Sequence, residues 1–194
     1  KAIDVYNTNR RLLRQLYELR KADNPGISGA EAMEIVLSSM LMDKEEHNQL
    51  LEQLLEGLPG GQGRPGVRLM LLGSELDDPE VVKLIESQGT NIVIDELCVG
   101  SRYFWNEVAR HDHQDRLDAI AARYIERPPC PLKDLGERSR LHHILKLARE
   151  YRVQGVIMMR QKFCDPHEYD FPFIRALFKE NNIPTLTLES DIII

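Results

Sequence analysis

The sequence changes its hydrophobic period once, across a stretch that can hold neither helix nor strand. Residues 57–66 read Gly-Leu-Pro-Gly-Gly-Gln-Gly-Arg-Pro-Gly. Glycines lose too much backbone freedom on ordering, and prolines lack the amide donor that regular structure needs. Before this stretch the apolar residues keep helical spacing. Leu12, Leu13, Leu16 and Leu19 recur on one side of a predicted helix over 2–22, with Arg10, Arg11, Arg14 and Lys21 as its wet face. Asp23-Asn24-Pro25-Gly26 ends it with turn chemistry. Ser28 and Glu31 form a capping-box pair ahead of the stripe Met33, Val36, Leu37, Met40. Asp43 and Glu46 repeat that pattern ahead of Leu50, Leu51, Leu54 and Leu55.

After the break the period shortens. Val67–Leu72, Ile92–Asp95, Val153–Met159 and Thr185–Leu188 read as buried strands. Between them lie a helix opened by Asp78-Pro79, helical stretches near Tyr103–Arg110 and Asp115–Glu126, one marked by Leu141, Ile144, Leu145 and Ala148, and one over Phe173–Asn181. Pro172 is expected to separate that last helix from a short turn at Asp165-Pro166. The order β-α-β-α-α-α-β-α-β predicts an α/β fold: an open, parallel, four-stranded sheet of flavodoxin or Rossmann type, flanked by helices, with an N-terminal helical layer. The expected division is a helical segment at 1–58, a linker at 59–66 and a sheet domain at 67–194.

Charge and cysteine usage narrow the function. Lys and Arg number 25 against 31 Asp and Glu, a net charge of −6. Nucleic acids and anionic membrane surfaces, which call for a basic face, are disfavoured as partners. No apolar run reaches the roughly 18 residues of a membrane span, and the N-terminus does not read as a signal peptide. Three cysteines with no C-x2-C spacing make no disulfide framework, which suits a reducing cytoplasm.

Open parallel sheets bind ligands beyond the carboxyl ends of their strands. The segments there are Gly73-Ser74-Glu75, Asp95–Tyr103, Arg160–Asp170 and Glu189-Ser190-Asp191, and two of the cysteines, Cys98 and Cys164, fall among them. Arg160 and Lys162 precede Cys164, and a helical turn follows it; both would favour a thiolate. Such a thiol can be a nucleophile, a redox group or a metal ligand. His142, His143 and His167 are candidate bases, with one of the first two expected to pack and the other to face solvent. His111 and His113 read as a solvated helix end, and Cys130, in Pro-Pro-Cys-Pro, as a structural or exposed loop residue. There is no G-x-G-x-x-G after a strand, no P-loop and no G-x-S-x-G elbow.

Two segments carry a resemblance. Gln161-Lys162-Phe163-Cys164-Asp165-Pro166-His167-Glu168-Tyr169-Asp170-Phe171-Pro172 resembles the late cysteine motif of the 2-hydroxyacyl-CoA dehydratase and benzoyl-CoA reductase family, and Asp95–Phe104 resembles its middle motif. Tyr6–Leu13 and Pro25–Glu31 resemble its helical approach, so the likeness runs nearly the whole chain, of the component D type. The resemblance implies a subunit that pairs with a homologous second subunit and holds a [4Fe-4S] cluster between tandem α/β domains. An ATP-dependent activator iron–sulfur protein supplies one low-potential electron. That electron passes to the thioester carbonyl of an acyl-CoA substrate, for radical dehydration or ring reduction.

Carried over by residue, Cys164 matches the late cluster cysteine, and Cys98 a motif cysteine that is the second candidate. Other cluster ligands of the family come from an upstream domain. The resemblance therefore implies a C-terminal part whose cluster site is incomplete, without metal and inactive by itself. Arg160 and Lys162 are candidates to steer thioester or cluster charge. Arg102 is a candidate for CoA phosphates, although a structural salt bridge to Glu or Asp is the more common fate of such a residue. A non-catalytic flavodoxin-like module gripping a small anion at the same edge, or an interaction domain with no small-molecule site, are the rival readings.

Overall fold

The computed structural model describes residues 1–58, 62–109, 115–133 and 138–191. Helix α1 (Ala2–Leu19) lays Leu12, Leu13, Leu16 and Tyr17 against the sheet. Helix α2 (Gly29–Leu41) opens on the expected capping box: the Ser28 hydroxyl accepts the Glu31 amide at 3.1 Å, and the Glu31 carboxylate accepts the Ser28 amide at 2.8 Å. Helix α3 (Lys44–Gly57) is capped by Asp43, which accepts the amides of Glu45 and Glu46. The remainder runs β1 (Val67–Gly73), α4 (Pro79–Glu86), β2 (Thr90–Glu96), α5 (Ser101–Phe104), α6 (Arg116–Glu126), α7 (Ser139–Glu150), β3 (Gly155–Gln161), α8 (Asp165–Glu180) and β4 (Thr185–Ser190).

The four strands form one sheet in the order β2-β1-β3-β4, with every neighbouring pair parallel. This is the α/β architecture expected from the alternation of periods. One face carries Met70, Leu72, Ile94, Val156 and Met158 and packs against α1, α5, α7 and α8 through Leu13, Leu16, Phe104, Ile144, Ile174 and Phe178. The other carries Leu71, Ile92, Ile157 and Met159 under α2 and α4.

Three element readings change. The helix placed near Tyr103–Arg110 is the single turn α5, which begins earlier and stops at Phe104. Its start is fixed by Ser101, whose hydroxyl donates to the Asp95 carbonyl at 2.7 Å. Its continuation is pulled out of helix by Asn7, which pairs with both the amide and the carbonyl of Val108 at 2.9 Å. Second, Pro172 does not interrupt α8. It sits on the exposed side, where water can serve the Glu168 carbonyl it leaves unbonded, while His167, Asp170, Phe171, Ile174 and Phe178 keep one buried stripe. Third, β3 begins two residues late. Val153 still closes the turn after α7, its amide donating to the Ala148 carbonyl at 2.8 Å, and pairing with β1 starts at Gly155.

Arg68, the one charge inside the β1 run, is buried. It donates to the carbonyls of Tyr151 (2.9 Å), Ala22 (2.6 Å) and Arg20 (3.0 Å), satisfying acceptors left over where α1 and α7 end. His111 and His113 lie outside the described residues, as does part of the linker at 59–61. No helix among the described residues is long and apolar enough to cross a membrane.

Candidate functional site

The chain leaves β1 for β2 on one side and later crosses to β3 on the other, so the loops after β1 and β3 part at the carboxyl edge. Gly73 ends β1 there. A Cβ on it would stand 2.4 Å from the Met159 carbonyl oxygen, so the close approach of the two backbones needs glycine. Beyond it the Ser74 hydroxyl donates to Gln161 Oε1 at 3.1 Å, and the Ser74 carbonyl accepts the Cys98 amide at 2.9 Å. The loop after β2 is thereby laid across the tip of β1, toward β3.

Asp95 shapes that loop from below. Buried at the end of β2, it accepts the Tyr17 hydroxyl on one oxygen and the Ser101 amide, at 2.7 Å, on the other. Burial raises the pKa of both Asp95 and Tyr17. Gly100 packs so closely that a Cβ would fall 1.8 Å from Asp95 Oδ1. Gly100→Ala should therefore push Asp95 off both partners and cost about 2–3 kcal/mol; urea unfolding measures it, and an unchanged midpoint would show that the loop has slack.

Cys164 stands at the end of the turn after β3 as the N-cap residue of α8, half-buried, its carbonyl accepting the amides of His167 and Glu168 at 3.1 Å. Phe163 before it holds a φ of 67° and is exposed. Cys98 lies at the same edge beyond β2, with its sulfur 3.1 Å from Arg102 Nη2. Desolvation by the packed loop raises the pKa of the Cys98 thiol, and Arg102 pulls the other way. Cys130 and Cys164 lie near enough to push the Cys98 thiol further up. The half-buried Cys130 thus belongs to the same neighbourhood, a placement its Pro-Pro-Cys-Pro setting did not announce.

The cations before Cys164 are engaged elsewhere. Arg160 pairs with Glu168 at 2.5 Å and Glu189 at 3.6 Å, and Lys162 pairs with Asp191 at 2.8 Å. Arg102 takes the structural alternative: it is buried, lies 3.1 Å from Glu96, and donates to the carbonyls of Leu97 (3.2 Å) and Gly73 (3.1 Å).

Glu96 also receives Arg140 of α7 at 2.5 Å, and Arg140 reaches on to Asp170 of α8. Both Glu96 and Arg140 are wholly buried. This network was missed in the sequence, although Arg140 occupies a stripe position with Ile144 and Leu147, where a charge calls for a buried partner.

The histidines divide. His142 faces solvent, and His143 packs edge-on against Trp105 at 5.0 Å. Burial lowers the His143 pKa to about 4. His167 is 2% exposed, neither ring nitrogen has a hydrogen-bond partner, and burial beside Arg140 and Arg102 lowers its pKa to about 3. Both rings are neutral bases inside the protein rather than solvent-facing proton carriers.

An apolar groove of about 560 Å³, lined by Leu69, Ile85, Val156 and Leu186, opens toward the amino ends of the strands, away from the thiols. The chemistry-bearing edge is thus the carboxyl one, where three soft sulfur donors suit an iron–sulfur cluster in kind. In arrangement they are incomplete. Among the described residues no three His, Cys, Asp or Glu side chains converge as a metal-binding set.

Fold and edge together define a class: a parallel α/β domain that offers thiols at the carboxyl ends of β2 and β3. The sequence matches the family described as 2-hydroxyglutaryl-CoA dehydratase, D-component, over residues 1–193, and the chain belongs to that family. It is 29% identical over 194 residues to the (R)-phenyllactyl-CoA dehydratase beta subunit of Clostridium sporogenes, covering 98% of this chain and 51% of that one. It is 27% identical to one of the subunits of the benzoyl-CoA reductase of Thauera aromatica, covering 97% and 50%. It is 26% identical to the (R)-2-hydroxyglutaryl-CoA dehydratase beta subunit of Acidaminococcus fermentans, covering 98% and 51%. The chain spans about half the length of these relatives.

Proposed function

We propose that the chain is part of the iron–sulfur subunit of a 2-hydroxyacyl-CoA dehydratase or benzoyl-CoA reductase, and that Cys164 supplies one thiolate ligand to its [4Fe-4S] cluster. The observation that carries this reading is the placement of Cys164: half-buried at the carboxyl edge, beside the point where the β1 and β3 loops part. Cys98 is the second candidate donor at that edge. The remaining ligands come from outside the described residues.

When bound, the cluster supplies a low-potential electron to the thioester carbonyl of an acyl-CoA. The chain's own part is to present and shelter the thiol. The α8 amino end offers its dipole to an anionic sulfur, and the paired states of Arg160 and Lys162 keep that edge from being a loose cationic surface. A homologous second subunit and an ATP-dependent activator protein complete the system, and the acyl-CoA meets walls this chain only partly provides. A cytoplasmic setting keeps the thiols reduced.

The test is anaerobic reconstitution of the complete subunit with iron and sulfide, alongside its partner. The parent should become brown, with broad visible absorption and stoichiometric iron. Cys164→Ala should lose most of the bound iron. Retention of full iron and an unaltered spectrum in that variant would sink the assignment.

A further inference from the structure

We propose that Arg140 is a positioning residue that sets the separation of the two thiol-bearing loops, through a buried chain of contacts running Cys98–Arg102–Glu96–Arg140–Asp170. The inference rests on the reading above, in which both loops face the same cluster.

The links come from different elements. Arg102 of α5 holds the Cys98 sulfur and the Gly73 carbonyl, each at 3.1 Å, and lies 3.1 Å from Glu96 at the end of β2. Arg140 of α7 donates to Glu96 at 2.5 Å and, from its other terminal nitrogen, to Asp170. Asp170 rides on α8, whose N-cap is Cys164. One guanidinium therefore spans the space between the loop after β2 and the helix that begins at the loop after β3. Those strands are not neighbours: β1 lies between them, so their tips stand about 10 Å apart at ordinary strand spacing. The backbone ladder fixes the strands but not the loops beyond them.

Stability alone does not explain charges in this place. Desolvating two carboxylates and two guanidiniums costs several kcal/mol per ion, and well-packed apolar side chains often serve stability as well or better. What apolar packing lacks is direction. A planar guanidinium with donors on two sides fixes both distance and angle to its carboxylates.

The test uses the 194-residue chain with Cys130→Ser and spin labels on Cys98 and Cys164. The parent should give one narrow inter-label distance distribution. The combination Arg140→Met, Asp170→Asn removes one positive and one negative charge together and leaves Arg102 its Glu96 partner; it should keep its circular dichroism while the distribution roughly doubles in width, because the directional fork is gone. Arg140→Lys, which keeps the charge without the fork, should widen it as well and decides the matter if the combination fails to fold. A distribution as narrow as the parent's in the folded variant would overturn the proposal. No iron enters this measurement, so it can fail or succeed independently of the Cys164→Ala reconstitution.

Discussion

Arg140→Met alone should lower the stability of the fold by about 3–5 kcal/mol, the usual cost of stranding buried charge. The loss comes from what remains. Among the described residues, Glu96, with no exposed surface, would keep only Arg102 as an ion-pair partner, and Asp170 would keep the half-exposed Arg138 at 3.6 Å. Neither carboxylate can reach bulk water to recover hydration. Burial opposes the charge on Arg140, yet Glu96 and Asp170 together hold its pKa above the ordinary value, so the guanidinium is charged at any working pH. Adding Asp170→Asn to the methionine should restore much of the loss, since one positive and one negative charge then leave together and Glu96 keeps Arg102. Guanidinium chloride unfolding of the three proteins, parent, single variant and combination, gives the answer. If the single variant loses no more than the combination, the ion pairs carry no coupling energy.

The architecture was legible because it rests on local rules. Ser28 and Glu31 announced the start of α2, and Asp43 and Asp78 the starts of α3 and α4, each through a side chain that can serve only neighbouring amides. The strands were legible as apolar runs, since a sheet covered on both faces tolerates little else. Their ends were less so. Pairing at Gly155 depends on where Leu69 of a distant strand lies, which no local window contains. Pro172 misled for a related reason: its penalty depends on whether the orphaned carbonyl meets water, and that is decided by which side of α8 faces out. At the site, the edge position of Cys98 and Cys164 followed from strand order alone. Arg102 takes the salt bridge to an acidic residue that its type favours, while the pairings of Arg160 and Lys162 did not follow, because their carboxylate partners Glu189 and Asp191 are brought near by the fold. Cys130 joined the thiols through tertiary placement after α6, with nothing in its own turn to signal it.

Acid should destabilise the protein steeply below pH 6.5, and the two buried imidazoles carry much of the effect. In the unfolded chain histidine binds its proton near the ordinary value of about 6.5. In the fold, burial holds His143 to about 4 and His167 to about 3. Between those values the unfolded state binds more protons, so stability is fully present above pH 6.5 and is lost as pH falls toward the folded values. While both rings are in that window the loss is about 2.7 kcal/mol per pH unit, set against a typical total of about 5–15 kcal/mol. Asp95 acts in the opposite sense: its pKa is raised by burial, so protonation favours the folded state there. The urea midpoint should therefore fall progressively from pH 6.5 to 4.5. The combination His143→Gln with His167→Phe should flatten that slope, since neither replacement takes a proton. It should also raise the midpoint at neutral pH, because two ring nitrogens of His167 and one of His143 are buried without partners. A parent-like slope in the double variant would move the acid lability to the carboxylates. Since the His167 amide bonds the Cys164 carbonyl, acid opening driven by this ring would loosen the first turn of α8 before the sheet, and hydrogen exchange of the 167 and 168 amides reports whether that turn goes first.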